Sequence, residues 1–501
     1  MLLKDLIGPL HCKVVGNPDV EVTGISLDSR EIEQGVIFAA MPGEHVDGHE
    51  FIKDAAAKGA SAVLAEKVTE AIPVTQVIVR DIRAALSEVS ARFYGEPSKR
   101  LKLVGVTGTN GKTTTTYIIE SILKEAGFTP GVIGTINYRY GGRIYPAPHT
   151  TPQAPQLQKV LKEMADSGVT HCVMEVSSHS LEQRRVGDCV FSVVVFTNLT
   201  HEHLDYHRTM EEYFGCKKTL FKMAAEAGGA GAVNIDDEWG VRIKKEFPGS
   251  LTYSLKHGAD IYPLTYSLLH GRTEAEISTP AGRVTVSSHL VGEYNLQNIL
   301  AAISAGYALG MDLSAVAAGI DSIERVPGRL EKIEASGPKR FNAYVDYAHT
   351  ADALERTLNA LKNITTGRII TVFGCGGNRD RLKRPRMGEV SARLSDITIV
   401  TSDNPRDEDP LEIIREVEAG IKGMEKCGPG PLSGKKCYMA IPVRSEAIKR
   451  AVDMAQNGDT VLLAGKGHED YQIVKGQRLH FSDFEALNNA IKGLSKEGAL
   501  N

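Results

Sequence analysis

The segment VGVTGTNGKTTTT, residues 104–116, sets glycines and a lysine between a β-branched run and a helical pattern. Backbone N–H groups in such a turn, with the N-terminus of the following helix, can cradle phosphates. Lys112 is placed to reach the outer phosphates of a nucleotide, and Thr113 to offer its hydroxyl to Mg²⁺. The general pattern G-x-x-x-x-G-K-S/T is met imperfectly, because Val106 stands at its first glycine. ATP and GTP are both compatible with it.

A second cluster, TNLTHEHLDYH at 197–207, follows an apolar run and brings imidazoles and carboxylates together. With Glu175, which ends the preceding strand-like run, His203 can supply metal ligands beside a triphosphate. Mg²⁺ prefers few protein ligands plus waters and phosphate oxygens, so one Glu and one His suffice. In YFGCKKTLF, 213–221, Lys217 begins a helical pattern that faces inward. Spacing alone fits an ordinary salt-bridged lysine. The alternative is a neutral buried amine that adds CO₂ and becomes an anionic carbamate. Finally, TSDNPRDEDP at 401–410 holds one cation, Arg406, among Asp403, Asp407, Glu408 and Asp409. The arginine is either neutralised by these neighbours or kept for an anion from outside.

The elements that must position these residues alternate along the chain. Runs such as LVGVTG, HCVMEVSS and FSVVVFTNL alternate with helical patterns in the middle, as do NAYVDYA, RIITVFG, DITIVTSD and TVLLAGKG towards the end. This predicts an α/β protein with mainly parallel sheets covered by helices. Polar turn material at 94–102 and a proline-containing charged stretch at 324–340 place boundaries that divide the chain into 1–98, 99–329 and 330–501. In parallel sheets ligands bind beyond the carboxyl ends of the strands. The loops GCGGNRDR, TSDNPRDEDP and AGKGHED should therefore meet at one edge. The segment 426–436 is expected to be a surface loop.

With 58 basic and 62 acidic residues among 501, no overall field draws nucleic acid or an anionic membrane. Asp5 and Pro9 interrupt the apolar start, so no signal peptide is expected, and no run is long enough to span a bilayer. Seven scattered cysteines, odd in number and without a C-x-x-C pair, argue for free thiols and a cytoplasmic setting.

The segments TGTNGKTTT, EVSSHSLEQRRV, TNLTHEHLDYH, YNLQNILAA, RVPGRLE, VDYAHTADAL, FGCGGNRDR, DNPR and GKGHEDYQ occur in the order of one family. The chain resembles the Mur ligases, cytoplasmic ATP-dependent enzymes that build the peptide of peptidoglycan precursors, and among them the synthetases that add the third residue. The resemblance implies a uridine-nucleotide-binding α/β domain, a central ATP-binding P-loop domain and a C-terminal Rossmann-like domain. It assigns the ATP phosphates to Gly108, Thr109, Asn110, Gly111, Lys112, Thr113 and Thr114, and other ATP contacts to Asn298, Arg329 and Asp346. Mg²⁺ falls to Thr113, Glu175, His203 and a carbamylated Lys217, and Lys112, His203 and Lys217 become the catalytic residues. Ser29, Thr150, Thr151, Ser177, Gln183 and Arg185 take the UDP-N-acetylmuramoyl dipeptide. Arg379, Asp403, Asn404, Pro405, Arg406, Gly465 and Glu469 surround the incoming amino acid. The D-N-P-R motif implies meso-diaminopimelate, whose extra carboxylate Arg406 holds; L-lysine is the alternative within the family. The resemblance implies small-molecule partners only and a monomer. A folate- or cyanophycin-type ligase and a P-loop switch protein are more distant alternatives. One departure is Val443, Arg444 where an Asp-Arg pair is expected, which should weaken a polar contact in the last segment.

Overall fold

The β-branched run Lys102–Thr107 becomes the central strand of an eight-stranded sheet, flanked by Phe191–Phe196 and His171–Glu175. Both neighbours run parallel to it, in a register that pairs Glu175 with Val106 and Phe196 with Thr107. Three carboxyl ends are therefore level, and the loops leaving them meet. Strands buried on both faces read as continuous apolar runs, because helices cover each side. Val104 and Val106 pack against Ile118, Ile119 and Ile122 of the helix Lys112–Glu125, and Leu103 packs on the other face with Phe191 and Leu220. The hairpin strands Asn137–Tyr140 and Arg143–Pro146 extend this sheet antiparallel to its parallel body. This computed structural model describes all residues except 44–45, 269–270, 334–338, 428–435 and 498–501.

The C-terminal part repeats the logic. Thr460–Ala464 lies between Asn342–Asp346 and Ile369–Phe373, with Ile397–Val400 beyond, all parallel. The register sets Asp346, Ala464, Phe373 and Val400 in one row. The loops that follow them, including the three polar ones expected to converge, leave from that edge. The N-terminal part holds a five-stranded sheet, parallel except for its first strand, between two apolar clusters.

Two elements were not anticipated from the pattern. An antiparallel sheet of Tyr262–Ser267, Thr273–Thr279 and Gly282–Ser288 turns Ala275, Ile277, Val284 and Val286 onto Val316 and Ile320. A hairpin pairs Tyr471–Val474 with Gln477–His480. Among the described residues no helix is long and apolar enough to cross a membrane.

One expectation is corrected. Cys427 and Cys437 form a disulfide, so not all seven thiols are free. Strand pairing of Glu425–Lys426 with Cys437–Ala440 brings their Cα atoms to 5.0 Å, a closeness that sequence spacing does not reveal. Arg444, kept beside the departure at Val443, is buried and donates twice to the Asp483 carboxylate, at 2.7 and 2.6 Å, while its Nη1 is buried without a hydrogen-bond partner among the described residues and Val443 is exposed. The segment proposed as a surface loop lies mostly outside the described residues, at 428–435.

Candidate functional site

The loop after Lys102–Thr107 is shaped by two glycines. Gly108 has φ 145° and Gly111 φ 87°, and a Cβ would stand 1.9 Å from Thr197 Oγ1 at the first and 2.3 Å from Asn298 Oδ1 at the second. Only glycine lets the backbone pass this close to its neighbours. The Asn110 N–H donates to Asn198 Oδ1 at 2.9 Å and Thr197 Oγ1 donates to the Asn110 carbonyl at 2.6 Å, so the strand-end loop at 197–198 fixes the turn. Lys112 folds back over it, donating to the carbonyls of Gly108 and Thr109 at 2.8 Å each. Burial lowers the pKa of Lys112 from its ordinary value.

Thr113, in the first turn of the helix Lys112–Glu125, meets Glu175 because the strand leading into that helix, Lys102–Thr107, lies beside the strand that ends at Glu175. Thr113 Oγ1 donates to Glu175 Oε2 at 3.0 Å, and Thr135 meets both oxygens of that carboxylate, with its N–H and its hydroxyl at 2.9 Å each. His203, in a left-handed conformation at φ 57°, lines the same cavity as Thr113 and Glu175. Burial lowers its pKa to about 4, so the ring is neutral and able to ligate. A hydroxyl, a carboxylate and one imidazole form a sparse, oxygen-rich donor set, which suits Mg²⁺ completed by water and phosphate. Lys217 stands behind this cavity. It is 1% exposed, its Nζ donates to the Gly108 carbonyl at 2.9 Å and lies 4.5 Å over the Tyr213 ring. Burial, then Lys112, lowers its pKa well below the usual value, and no carboxylate pairs with it among the described residues. The ordinary salt-bridged reading does not hold.

The cavity, of about 260 Å³, is closed from the C-terminal side. Arg329 Nη2 donates to Thr113 Oγ1 at 3.0 Å, and Asn110 Nδ2 to Asp352 Oδ2 at 2.9 Å. Asp346 lines it but is turned to its own loop, accepting from the N–H groups of Leu330 at 2.5 Å and Ala348 at 2.9 Å; burial raises its pKa. Thr109, Thr114 and Asn298 complete the wall.

A second cavity, of about 690 Å³, holds Arg379, Asp403, Asn404, Arg406, Gly465 and Glu469. Thr150, Glu202, His203, Tyr347 and His349 line both cavities, so the two share a wall. The acidic neighbours of Arg406 are all engaged elsewhere. Asp403 pairs with buried Lys466 at 3.3 Å, Asp407 accepts from Asn378 Nδ2 at 3.0 Å, Glu408 pairs with buried Arg384 at 2.8 Å, and Asp409 caps the helix Pro410–Glu418. Asp407 is exposed and Asp409 caps a helix, whereas two buried cations claim Asp403 and Glu408, so none of the four neutralises Arg406. Arg406 Nη1 donates to the Gly377 carbonyl at 2.8 Å, and no carboxylate pairs with it among the described residues. Burial and Arg379 lower its pKa, as expected for a cation without a counter-charge. The following hairpin holds its backbone at φ 53°, through Arg406 N–H to Ile473 O at 3.0 Å and Lys475 N–H to Arg406 O at 2.7 Å. Pro405 shapes the same turn, its carbonyl where a Cβ on Gly377 would fall.

The dipeptide candidates do not form one group. Thr151 Oγ1 donates to the Glu175 carbonyl at 2.8 Å and accepts from the Ser177 N–H at 3.2 Å; Arg185 donates to the Thr151 carbonyl at 2.9 Å and to Gln183 Oε1 at 2.6 Å. Thr150 joins Thr135 at 3.1 Å. Ser29 is elsewhere, in a cavity of about 820 Å³ with Asp28, Arg30, Gln156 and Lys159.

Models of three domains match the chain: Mur ligase family, catalytic domain, over 21–94; Mur ligase middle domain over 106–306; and Mur ligase, glutamate ligase domain, over 328–467. The UDP-N-acetylmuramoyl-L-alanyl-D-glutamate–2,6-diaminopimelate ligase of Geobacter sulfurreducens is 45% identical over 500 residues, covering 97% of each chain. The chain belongs to the Mur ligase family. A solved structure bearing the same enzyme name matches with a TM-score of 0.69 at 33% identity, over 98% of this Mur ligase and 99% of the other. MurF ligase from Thermotoga maritima in complex with ADP shares the fold, at TM-score 0.63, 21% identity and coverage of 96% and 99%.

Several residues that shape this Mur ligase site were missed in the sequence. Thr135 carries no local signal, since it reaches Glu175 only through strand order. Glu202 meets His349 at 3.3 Å from a distant loop, although both sit in motifs quoted above. Lys466 was legible in part: a lysine between two glycines in a strand-end loop has no ordinary surface purpose.

Proposed function

We propose that this Mur ligase joins meso-2,6-diaminopimelate to UDP-N-acetylmuramoyl-L-alanyl-D-glutamate, with ATP converted to ADP and phosphate. The observation that carries the proposal is the shared wall between a phosphate cradle and a pocket whose arginine lacks a counter-charge. An acyl phosphate made in the first cavity is open to an amine held in the second. The relatives named for this reaction support the choice of amino acid.

The chemistry is carboxylate activation. An oxygen of the substrate's free D-glutamyl carboxylate bonds to the γ-phosphorus and ADP leaves. The amine of diaminopimelate then attacks the acyl carbon, gives up a proton, and phosphate departs with the former carboxylate oxygen. Lys112 and the turn Gly108–Gly111 bind the triphosphate, and Arg329 and Asn298 close on it. Thr113, Glu175, His203 and a carbamylated Lys217 hold Mg²⁺, which when bound offsets the repulsion between carboxylate and phosphate. A neutral Lys217 amine can add CO₂ with loss of a proton and keep an N–H for the Gly108 carbonyl. Arg406 and Glu469 take the distal carboxylate and ammonium of diaminopimelate. Ser29 and its cavity take the uridine end, and the Thr151, Ser177, Gln183 and Arg185 network the dipeptide end. The same reading takes 1–98, 99–329 and 330–501 as three domains of a cytoplasmic monomer.

The test is a competition. Purified protein with the dipeptide substrate, ATP and Mg²⁺ should release one phosphate per tripeptide with diaminopimelate and far less with L-lysine. Faster release with lysine overturns the choice of amino acid. Absence of any amide product overturns the ligase.

A further inference from the structure

The turn Gly465–Lys466–Gly467 points a cation inward. Gly465 has φ 113° and Gly467 φ 53°, and a Cβ on Gly467 would meet the Tyr347 side chain at 2.7 Å and the Gly328 carbonyl at 2.8 Å. The backbone is thus clamped, and the Lys466 side chain is wholly buried. Its ammonium has three protons and three acceptors: Glu469 Oε2 at 3.2 Å, Asp403 Oδ1 at 3.3 Å and Asn404 Oδ1 at 3.4 Å. Asn404 is locked in turn, since its Oδ1 also accepts from the Ile473 N–H and its Nδ2 donates to Glu469 Oε2, both at 2.9 Å.

The charge arithmetic here is uneven. Asp403 and Glu469 bring two negative charges and Lys466 one positive, while Arg444 nearby is neutralised by Asp483. One negative charge is left over at the Glu469 end. Arg406, in the same cavity, is a positive charge without a carboxylate partner among the described residues, and Arg379, Lys383 and Arg386 line the cavity with it. A surplus carboxylate at one end and unpaired positive charge at the other are what an amino-acid head group, one ammonium and one carboxylate, requires. A ligand with an ammonium but no carboxylate satisfies only half of it.

We propose that Lys466 is a positioning residue that sets this balance: it fills the space between Asp403 and Glu469, aims Glu469 and Asn404 into the pocket, and leaves room for one ligand ammonium only. Without it, two carboxylates repel across the gap, Asn404 loses one of its anchors, and the pocket gains attraction for a bare cation. The inference rests on the ligase reading above.

The experiment measures KM and kcat for diaminopimelate, L-lysine and ATP in the wild type, Lys466→Met and the double variant Lys466→Met/Asp403→Asn. In Lys466→Met the KM for diaminopimelate should rise about 10-fold or more and its preference over lysine should shrink by a similar factor. The KM for ATP should stay within about twofold, which a general loss of structure would not allow. The double variant restores one surplus carboxylate and should recover much of the preference. If wild type makes no tripeptide, the ligase reading fails, whatever Lys466 does. If wild type is active and Lys466→Met keeps its KM and preference, or the double variant recovers nothing, the role given to Lys466 is wrong. Lys466→Gln, which keeps a donor but no charge, carries the same comparison if the methionine variant does not fold.

Discussion

Lys217 lies directly beneath Gly108, its Nζ 2.9 Å from the carbonyl that Lys112 also uses at 2.8 Å. Two lysines thus converge on one backbone oxygen at the phosphate turn, and the buried one cannot keep its charge beside the other.

Lys217→Met should therefore separate stability from activity. The folded lysine is held far below its ordinary pKa of 10.5, so the unfolded chain binds a proton that the folded chain does not. In CO₂-free buffer, where Lys217 is the bare amine, wild-type stability should rise with pH towards 10.5, and the variant should lack that rise. Near neutral pH the methionine variant should be more stable by about 1–3 kcal/mol in thermal or denaturant unfolding, while ligase turnover falls about 100-fold or more. Full activity would show that no carbamate is needed.

Arg406→Ala should cost selectivity before it costs fold. Removing a desolvated cation that waits for a carboxylate should erase about 2–5 kcal/mol of discrimination between diaminopimelate and lysine. Competition kinetics read this directly, and unchanged selectivity would mean that the extra carboxylate binds elsewhere.

Gly111→Ala should disable the phosphate turn. Its positive φ disfavours any side chain, and the new Cβ would overlap Asn298 Oδ1. A loss of about 1–3 kcal/mol of stability and a still larger loss of ATP affinity are expected, measured by unfolding and by nucleotide titration.

His468→Gln should flatten the acid limb of stability. Burial, then Arg329, lowers the pKa of His468 from 6.5 to about 3, so between those values the unfolded chain binds more protons. Wild-type stability is lost as pH falls through this window. The variant should lose less, by about 3 kcal/mol at pH 4, in unfolding curves measured across the range.

Much of the local architecture was legible. Apolar runs alternating with helical patterns can be satisfied only by covered parallel sheets, and such sheets carry their loops on one edge. The short antiparallel sheet around Thr273–Thr279 escaped notice because its strands alternate polar and apolar residues on a covered surface of the middle part. The Cys427–Cys437 link escaped because an odd, scattered set of cysteines says nothing about which two a strand pairing will bring together.

By itself the sequence determined what is contiguous: the phosphate turn of Gly108 to Lys112, the strand-end loops and the inward face that carries Lys217. A turn and a helix face follow from backbone sterics and side-chain spacing within a few residues. Only the tertiary structure decided how charges are shared. Arg384 took Glu408 and Lys466 took Asp403, leaving Arg406, the cation nearest to both in sequence, without a carboxylate among the described residues. Pairing in a low-dielectric interior depends on distance through space, which the order of residues does not contain.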